Sequence, residues 1–141
     1  MKRMASARWQ GGLKDGKGVV STSSGVLDNT QYSFGTRFEE GKGTNPEELI
    51  GAAHASCFAM ALSAQLGEAG IKADSIDVKA TISLDKLEGG WAVTASHLDV
   101  KARIPGVDKA KFDTAAKNAK EGCPISKLLK ADITMTAEVE G

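Results

Sequence analysis

Apolar and polar side chains alternate strictly between residues 75 and 84, with Ile76, Val78, Ala80, Ile82 and Leu84 on one face. A two-residue period of this kind marks a half-buried β-strand. After Gly89 and Gly90 the alternation resumes through Ala95, Leu98, Val100 and Ala102 with one slip. Residues 75–84 and 91–104 therefore read as the arms of a long antiparallel hairpin, with a bulge expected near His97. Residues 6–36 run in short pieces (5–9, 18–22 and 31–36) divided by Gly- and Asp-rich breaks, the spacing of a β-meander. A last strand is expected over residues 132–138.

The rest of the pattern is helical. Residues 49–68 are rich in Ala, Leu and Met and apolar on most sides, which predicts a helix buried in a core or at a subunit interface. Its entry, Thr44-Asn-Pro-Glu-Glu48, combines a capping side chain, Pro at the first helical position and two acids that complement the helix dipole. Gly70 stops it. A second helix is expected over residues 108–121, ending at Gly122 with Cys123 and Pro124 just beyond and a short turn over residues 125–130. At 141 residues the chain has the size of one domain, residues 1–141, able to bury its own core.

Charge removes several partner classes. Eighteen basic and eighteen acidic residues cancel, so no summed positive field draws the chain to nucleic acid or anionic lipid. The longest apolar stretch, residues 49–66, is interrupted by His54, Ser56, Ser63 and Gln65, and on this reading falls short of the roughly 20 apolar residues of a membrane span. The first eleven residues lack the apolar core of a secretion signal. A soluble cytosolic protein is expected, in which two cysteines are too few for a disulfide scaffold and stay reduced unless they react.

Few residues could carry chemistry. Cys57 lies inside the apolar helix, where a cysteine packs as a small hydrophobe as readily as it reacts. Cys123, at a Gly-Cys-Pro helix junction, is placed where a thiol can meet a surface or cleft. It follows one helix end, which raises a thiol pKa, and precedes a helix start at Pro124, which lowers it, so position does not decide which sulfur attacks first. A zinc site needs more ligands at short spacing than His54, three residues before Cys57, and the distant His97. A cysteine hydrolase needs an oriented histidine base that nothing local identifies. By itself His54 reads as a satisfied helix histidine, and Arg37, Glu47 and Glu48 as exposed charges around a capped helix entry.

Taken together, these residues resemble a known family. Arg37-Phe38, followed by Gly43-Thr-Asn-Pro-Glu-Glu-Leu-Ile-Gly-Ala-Ala-His-Ala-Ser-Cys-Phe-Ala-Met-Ala-Leu62, resembles the OsmC/Ohr hydroperoxide reductases, in their osmotically inducible OsmC branch. The likeness continues in order through Val20-Ser-Thr-Ser-Ser-Gly-Val-Leu27, Ser83-Leu-Asp-Lys86, Ile104-Pro-Gly-Val-Asp108 and Gly122-Cys-Pro-Ile-Ser-Lys-Leu-Leu-Lys130. The resemblance implies an α+β, OsmC-like fold with antiparallel sheets around a long buried central helix, working as an intertwined homodimer. It implies Cys57 as the peroxide-attacking cysteine, Cys123 as the resolving one, Arg37 as activator of the thiolate and Glu47 as the carboxylate that orients Arg37. It also implies a dithiol reductant such as a lipoylated protein; no cofactor or metal is expected.

Physical chemistry fits these roles. An unperturbed cysteine is mostly protonated at neutral pH, so peroxide reduction needs a nearby fixed cation. Ten residues of helix separate Glu47 from Cys57, a rise of about 15 Å, while dipole effects fade within one turn. Glu47 and its Arg37 are therefore expected to serve the Cys57 of a partner subunit. Alanine, phenylalanine and methionine around Cys57 favour an organic hydroperoxide, whose tail gains about 0.8 kcal/mol per buried methylene. The competing expectations are a small hydrophobic ligand-binding module and a structural stress protein without turnover.

Overall fold

The computed structural model describes residues 1–141, which pack as two compact units, Met1–Leu49 and Ile50–Gly141.

In the first unit β1 (Ala5–Gln10), β2 (Lys17–Thr22) and β3 (Thr30–Tyr32) form an antiparallel meander in the order β1-β2-β3. Trp9 and Tyr32 face each other across β2 with ring centroids 5.5 Å apart. Gly18 lies between them: a Cβ there would stand 2.6 Å from Tyr32 and 2.7 Å from Trp9, so only glycine admits both rings. The stretch at residues 31–36 was expected to be a single strand piece; it divides instead into β3 and a short helix, α1 (Phe34–Phe38). A reciprocal capping box makes the break: the Ser33 hydroxyl accepts from the Thr36 amide and the Thr36 hydroxyl accepts from the Ser33 amide, which overrides the local strand pattern.

The long helix, α2 (Pro46–Glu68), begins in this unit and continues in the second. Asn45 caps it by accepting from the Glu48 amide at 2.8 Å. At the other end Gly70 takes the left-handed conformation, φ +73°, and the Ile71 amide reaches back to the Leu66 carbonyl, the αL termination that glycine permits.

In the second unit, β4 (Ser75–Leu87), β5 (Gly90–Arg103) and β6 (Asp132–Glu140) form a sheet in the order β4-β5-β6. α3 (Lys109–Gly122) and α4 (Pro124–Leu128) connect β5 to β6. The β4–β5 hairpin is antiparallel, but β6 runs parallel to β5, so the expectation of purely antiparallel sheets is corrected. A helical crossover returns the chain to the end of the sheet from which β5 set out, and a strand that follows one pairs in parallel. The core gathers Phe58, Leu62 and Leu66 of α2, Leu98, Val100 and Ala102 of β5, and Phe112, Ala115, Ala116 and Ala119 of α3.

Two further expectations change. The bulge sits at Thr94, not near His97: Ser83 pairs with Ala95 and Leu84 with Val93, while His97 pairs in register with Thr81. The inward row Ser96, Leu98, Val100 and Ala102 is unbroken, and the polar Ser96 within it mimicked a slip. In addition, α2 is buried only along one stripe, Gly51, His54, Phe58, Leu62 and Leu66. Ala52, Ala53, Met60 and Ala64 are exposed in the single chain, so the helix is central without being buried on all sides. Its 23 residues run through His54, Ser56, Ser63 and Gln65 without interruption, and by length and apolarity alone it reaches the size of a membrane span; its buried stripe belongs to the core described above.

Candidate active site

The structure brings the two cysteines together. Cys57 lies midway along α2, and Cys123 sits at the junction where α3 ends and α4 begins. Both are free thiols, and their sulfurs stand 3.0 Å apart and share a hydrogen bond. They differ in access: Cys57 is half-buried, whereas Cys123 is fully buried. Of the two sulfurs, only that of Cys57 is open to solvent.

Their acidities are pulled apart. Burial pushes the Cys57 thiol up, its hydrogen bond to Cys123 adds to this, and the Ile125 amide opposes it weakly. Burial also pushes Cys123 up, but hydrogen bonds from Cys57, from the amide and hydroxyl of Ser126 and from the Ile125 amide outweigh it and leave Cys123 below the ordinary cysteine value. The two thiols are thus shifted in opposite directions, Cys57 up and Cys123 down. None of the influences on Cys57 is a cation.

Within the first unit the structure joins Arg37 to Glu47. Arg37 Nε donates to Glu47 Oε1 at 2.8 Å and Nη2 donates to Oε2 at 3.2 Å. This bidentate pairing fixes the guanidinium plane and uses two of its five donors, leaving three directed elsewhere. The Glu47 side chain is 12% exposed and that of Arg37 38%, so these are not the freely solvated charges that each suggests alone. The guanidinium also lies over the Phe38 ring, 5.3 Å from its centroid. Asn45 locks the arrangement by donating from Nδ2 to the Thr36 carbonyl, within α1, and to Glu48 Oε2. Glu48 is thereby engaged in the helix cap, not in the pair.

His54 is the satisfied histidine its sequence position suggests, but its partners were not legible. It is fully buried; Nδ1 lies 2.7 Å from Ser96 Oγ on β5, and Nε2 lies 2.8 Å from Ser126 Oγ on α4. Ser96 and Ser126 stand 42 and 72 residues away in the chain, and a serine carries no pattern that would announce such a role.

The fold is shared with solved proteins of peroxide defence. The crystal structure of the organic hydroperoxide resistance protein OhrB of Bacillus subtilis superposes with a TM-score of 0.74 and 28% identity, covering 96% of this chain and 98% of its own. In sequence the chain is 53% identical over 138 residues to Peroxiredoxin OsmC of Escherichia coli strain K12, covering 98% of this chain and 96% of the relative. It is 34% identical over 130 residues to the organic hydroperoxide resistance protein OhrA of Bacillus subtilis strain 168, covering 91% and 89%. The family model described as OsmC-like protein matches residues 39–138, and the chain belongs to this family.

Proposed function

We propose that the chain is a thiol-dependent peroxidase that reduces organic hydroperoxides to alcohols with Cys57 and Cys123. The observation that carries this reading is the 3.0 Å approach of an accessible sulfur to a buried one; the names of its relatives point to the same chemistry. The Cys57 thiolate attacks the peroxide, an S–O bond forms, the O–O bond breaks and the alcohol leaves. Cys123 then attacks the Cys57 sulfenic acid, giving a disulfide and water before irreversible oxidation can follow. A dithiol reductant, a lipoylated carrier protein in our reading, returns both cysteines to thiols, and a reducing cytosol is the compartment that suits this cycle.

Cys57 still requires a cation, because burial pushes its thiol pKa up and only a thiolate attacks peroxide. Arg37, clamped by Glu47, is the prepared cation. Since α2 is one unbroken helix, ten residues of it amount to an axial rise of about 15 Å. We therefore assign the Arg37–Glu47 pair of one subunit to the Cys57 of another, in a homodimer that covers the outward face of α2. Ala59 and the exposed Met60, close to Cys57 on α2, supply apolar surface for an organic tail.

The test uses one equivalent of cumene hydroperoxide and mass spectrometry of the product. Loss of two hydrogens mapped to a Cys57–Cys123 disulfide, abolished in Cys57→Ser, is the expected outcome. Thiols left unreacted would favour the ligand-binding module, and peroxide consumption unchanged by Cys57→Ser would favour the structural protein. Faster turnover of hydrogen peroxide than of tert-butyl hydroperoxide would overturn the organic preference.

A further inference from the structure

One buried ionisable group takes no part in the cycle above. His54 precedes Cys57 by three residues on α2, and Ser126 follows Cys123 by three residues on α4. The two pairs lie one turn apart on their helices, so the His54–Ser126 bond of 2.8 Å runs beside the sulfur–sulfur contact of 3.0 Å. The Lys127 amide closes the first turn of α4 on the Cys123 carbonyl, which makes Cys123 and Ser126 one rigid piece. On its far side His54 is held by Ser96 of β5 at 2.7 Å. From this geometry we infer that His54 is a positioning residue for disulfide formation: through Ser126 it clamps α4 to α2 and keeps the Cys123 sulfur in range of Cys57.

The inference rests on the peroxidase reading, since a resolving step must exist for it to act on. Hydrogen-bond direction follows from the donor inventory. If the Ser126 hydroxyl donates to the Cys123 sulfur, it can only accept from His54, so Nε2 carries the imidazole hydrogen and Nδ1 accepts from the Ser96 hydroxyl. The chain Ser96, His54, Ser126, Cys123 then points every donor toward the sulfur, in line with the lowered pKa of Cys123. The ionisable group hydrogen-bonded to Cys123 is Cys57, and the side chains that hydrogen-bond His54 from β5 and α4 are Ser96 and Ser126, with no ion pair reaching it. In the step itself the Cys123 sulfur forms the S–S bond, the S–O bond of the Cys57 sulfenic acid breaks, and the departing hydroxide leaves as water with the Cys123 proton. His54 ends with the charge it began with.

Rapid-quench mass spectrometry after one equivalent of cumene hydroperoxide separates disulfide from sulfinic acid at Cys57 across a range of pH. Ser126→Ala should slow disulfide formation about tenfold, the loss expected for one hydrogen bond to an ionised group, move its pH profile upward and divert product to sulfinic acid. Ser126→Thr, which keeps the hydroxyl, should restore the parental ratio and profile. His54→Leu should show the same defect, and adding Ser126→Ala to it should cost little more, because the two act in one chain. The inference falls if Ser126→Ala keeps the parental ratio and pH profile, if Ser126→Thr is as defective as Ser126→Ala, or if both oxidation and resolution slow equally, as a general packing defect would cause. Absence of any Cys57–Cys123 disulfide in the parent would overturn the peroxidase reading and this inference with it, whereas a parental disulfide with indifferent variants overturns the inference alone. Should His54→Leu fail to fold, the Ser126 pair still decides.

Discussion

At the scale of single residues, the site separates tasks by burial. Cys57 can be reached and Cys123 cannot, so one sulfur is suited to meet an oxidant and the other to meet only its neighbour. The cost of burying a polar imaginable donor or acceptor is avoided at His54, where both ring nitrogens are satisfied and no buried side-chain polar atom is left without a partner. Burial also lowers the pKa of His54 from its ordinary 6.5, and this has a sign that can be followed. The unfolded chain takes up a proton near pH 6.5 that the folded chain refuses, so the stability contributed by neutral His54 is complete above that pH and is lost as the pH falls through the folded value. Urea denaturation at fixed protein concentration should therefore show the midpoint falling between pH 7.5 and 5. His54→Gln should start less stable at pH 7.5 and lose less over the same interval; an identical slope in parent and variant would show that His54 is not the group responsible.

At the scale of elements, end signals were the most legible part of the sequence. Pro46, the acids behind it and Gly70 marked both ends of α2, and Asp108 marked the start of α3, where its side chain accepts from the Ala110 amide. Strict alternation marked β4 and most of β5. What failed did so where tertiary contacts reassign a residue: the inward Ser96 disguised the register of β5, and reciprocal capping by Ser33 and Thr36 turned an expected strand piece into α1. The parallel pairing of β6 was hidden because strand direction depends on the crossover and not on the strand's own residues. The resemblance singled out the two cysteines and Arg37 with Glu47, and the structure pairs the sulfurs and, separately, the charges, whereas Ser96 and Ser126 had no local signal. Asn45 joins these themes, since one side chain caps α2 and tethers α1 to it. Asn45→Ala should cost about 1 kcal/mol for the cap alone, seen as a lowered unfolding midpoint. Because the same change releases α1, which carries Arg37, peroxide reduction should fall as well, and full stability with full activity would remove Asn45 from both roles.

At the scale of the whole molecule, the question is whether a cation prepared in one chain acts on a sulfur in another. The clamped guanidinium has unused donors, the half-buried sulfur is influenced by no cation, and the outward face of α2 exposes Ala52, Ala53, Met60 and Ala64 beside Ser56 and Ser63. A composite site satisfies all three at once, and it makes a prediction that a site built within one chain cannot match. Arg37→Ala and Cys57→Ser homodimers should each be nearly inactive. In a mixed dimer of the two variants, the intact Cys57 of the Arg37→Ala chain faces the intact Arg37 of the Cys57→Ser chain, so one of the two sites is whole. Unfolding and refolding an equal mixture yields such dimers as about half of the product by random pairing, since identical folds exchange freely in a symmetric dimer. Activity should then recover to about one quarter of the parent, half of the dimers carrying one working site of two. If the acting pair belonged to the same chain as Cys57, every mixed dimer would hold one chain without its cation and one without its sulfur, and mixing would restore nothing.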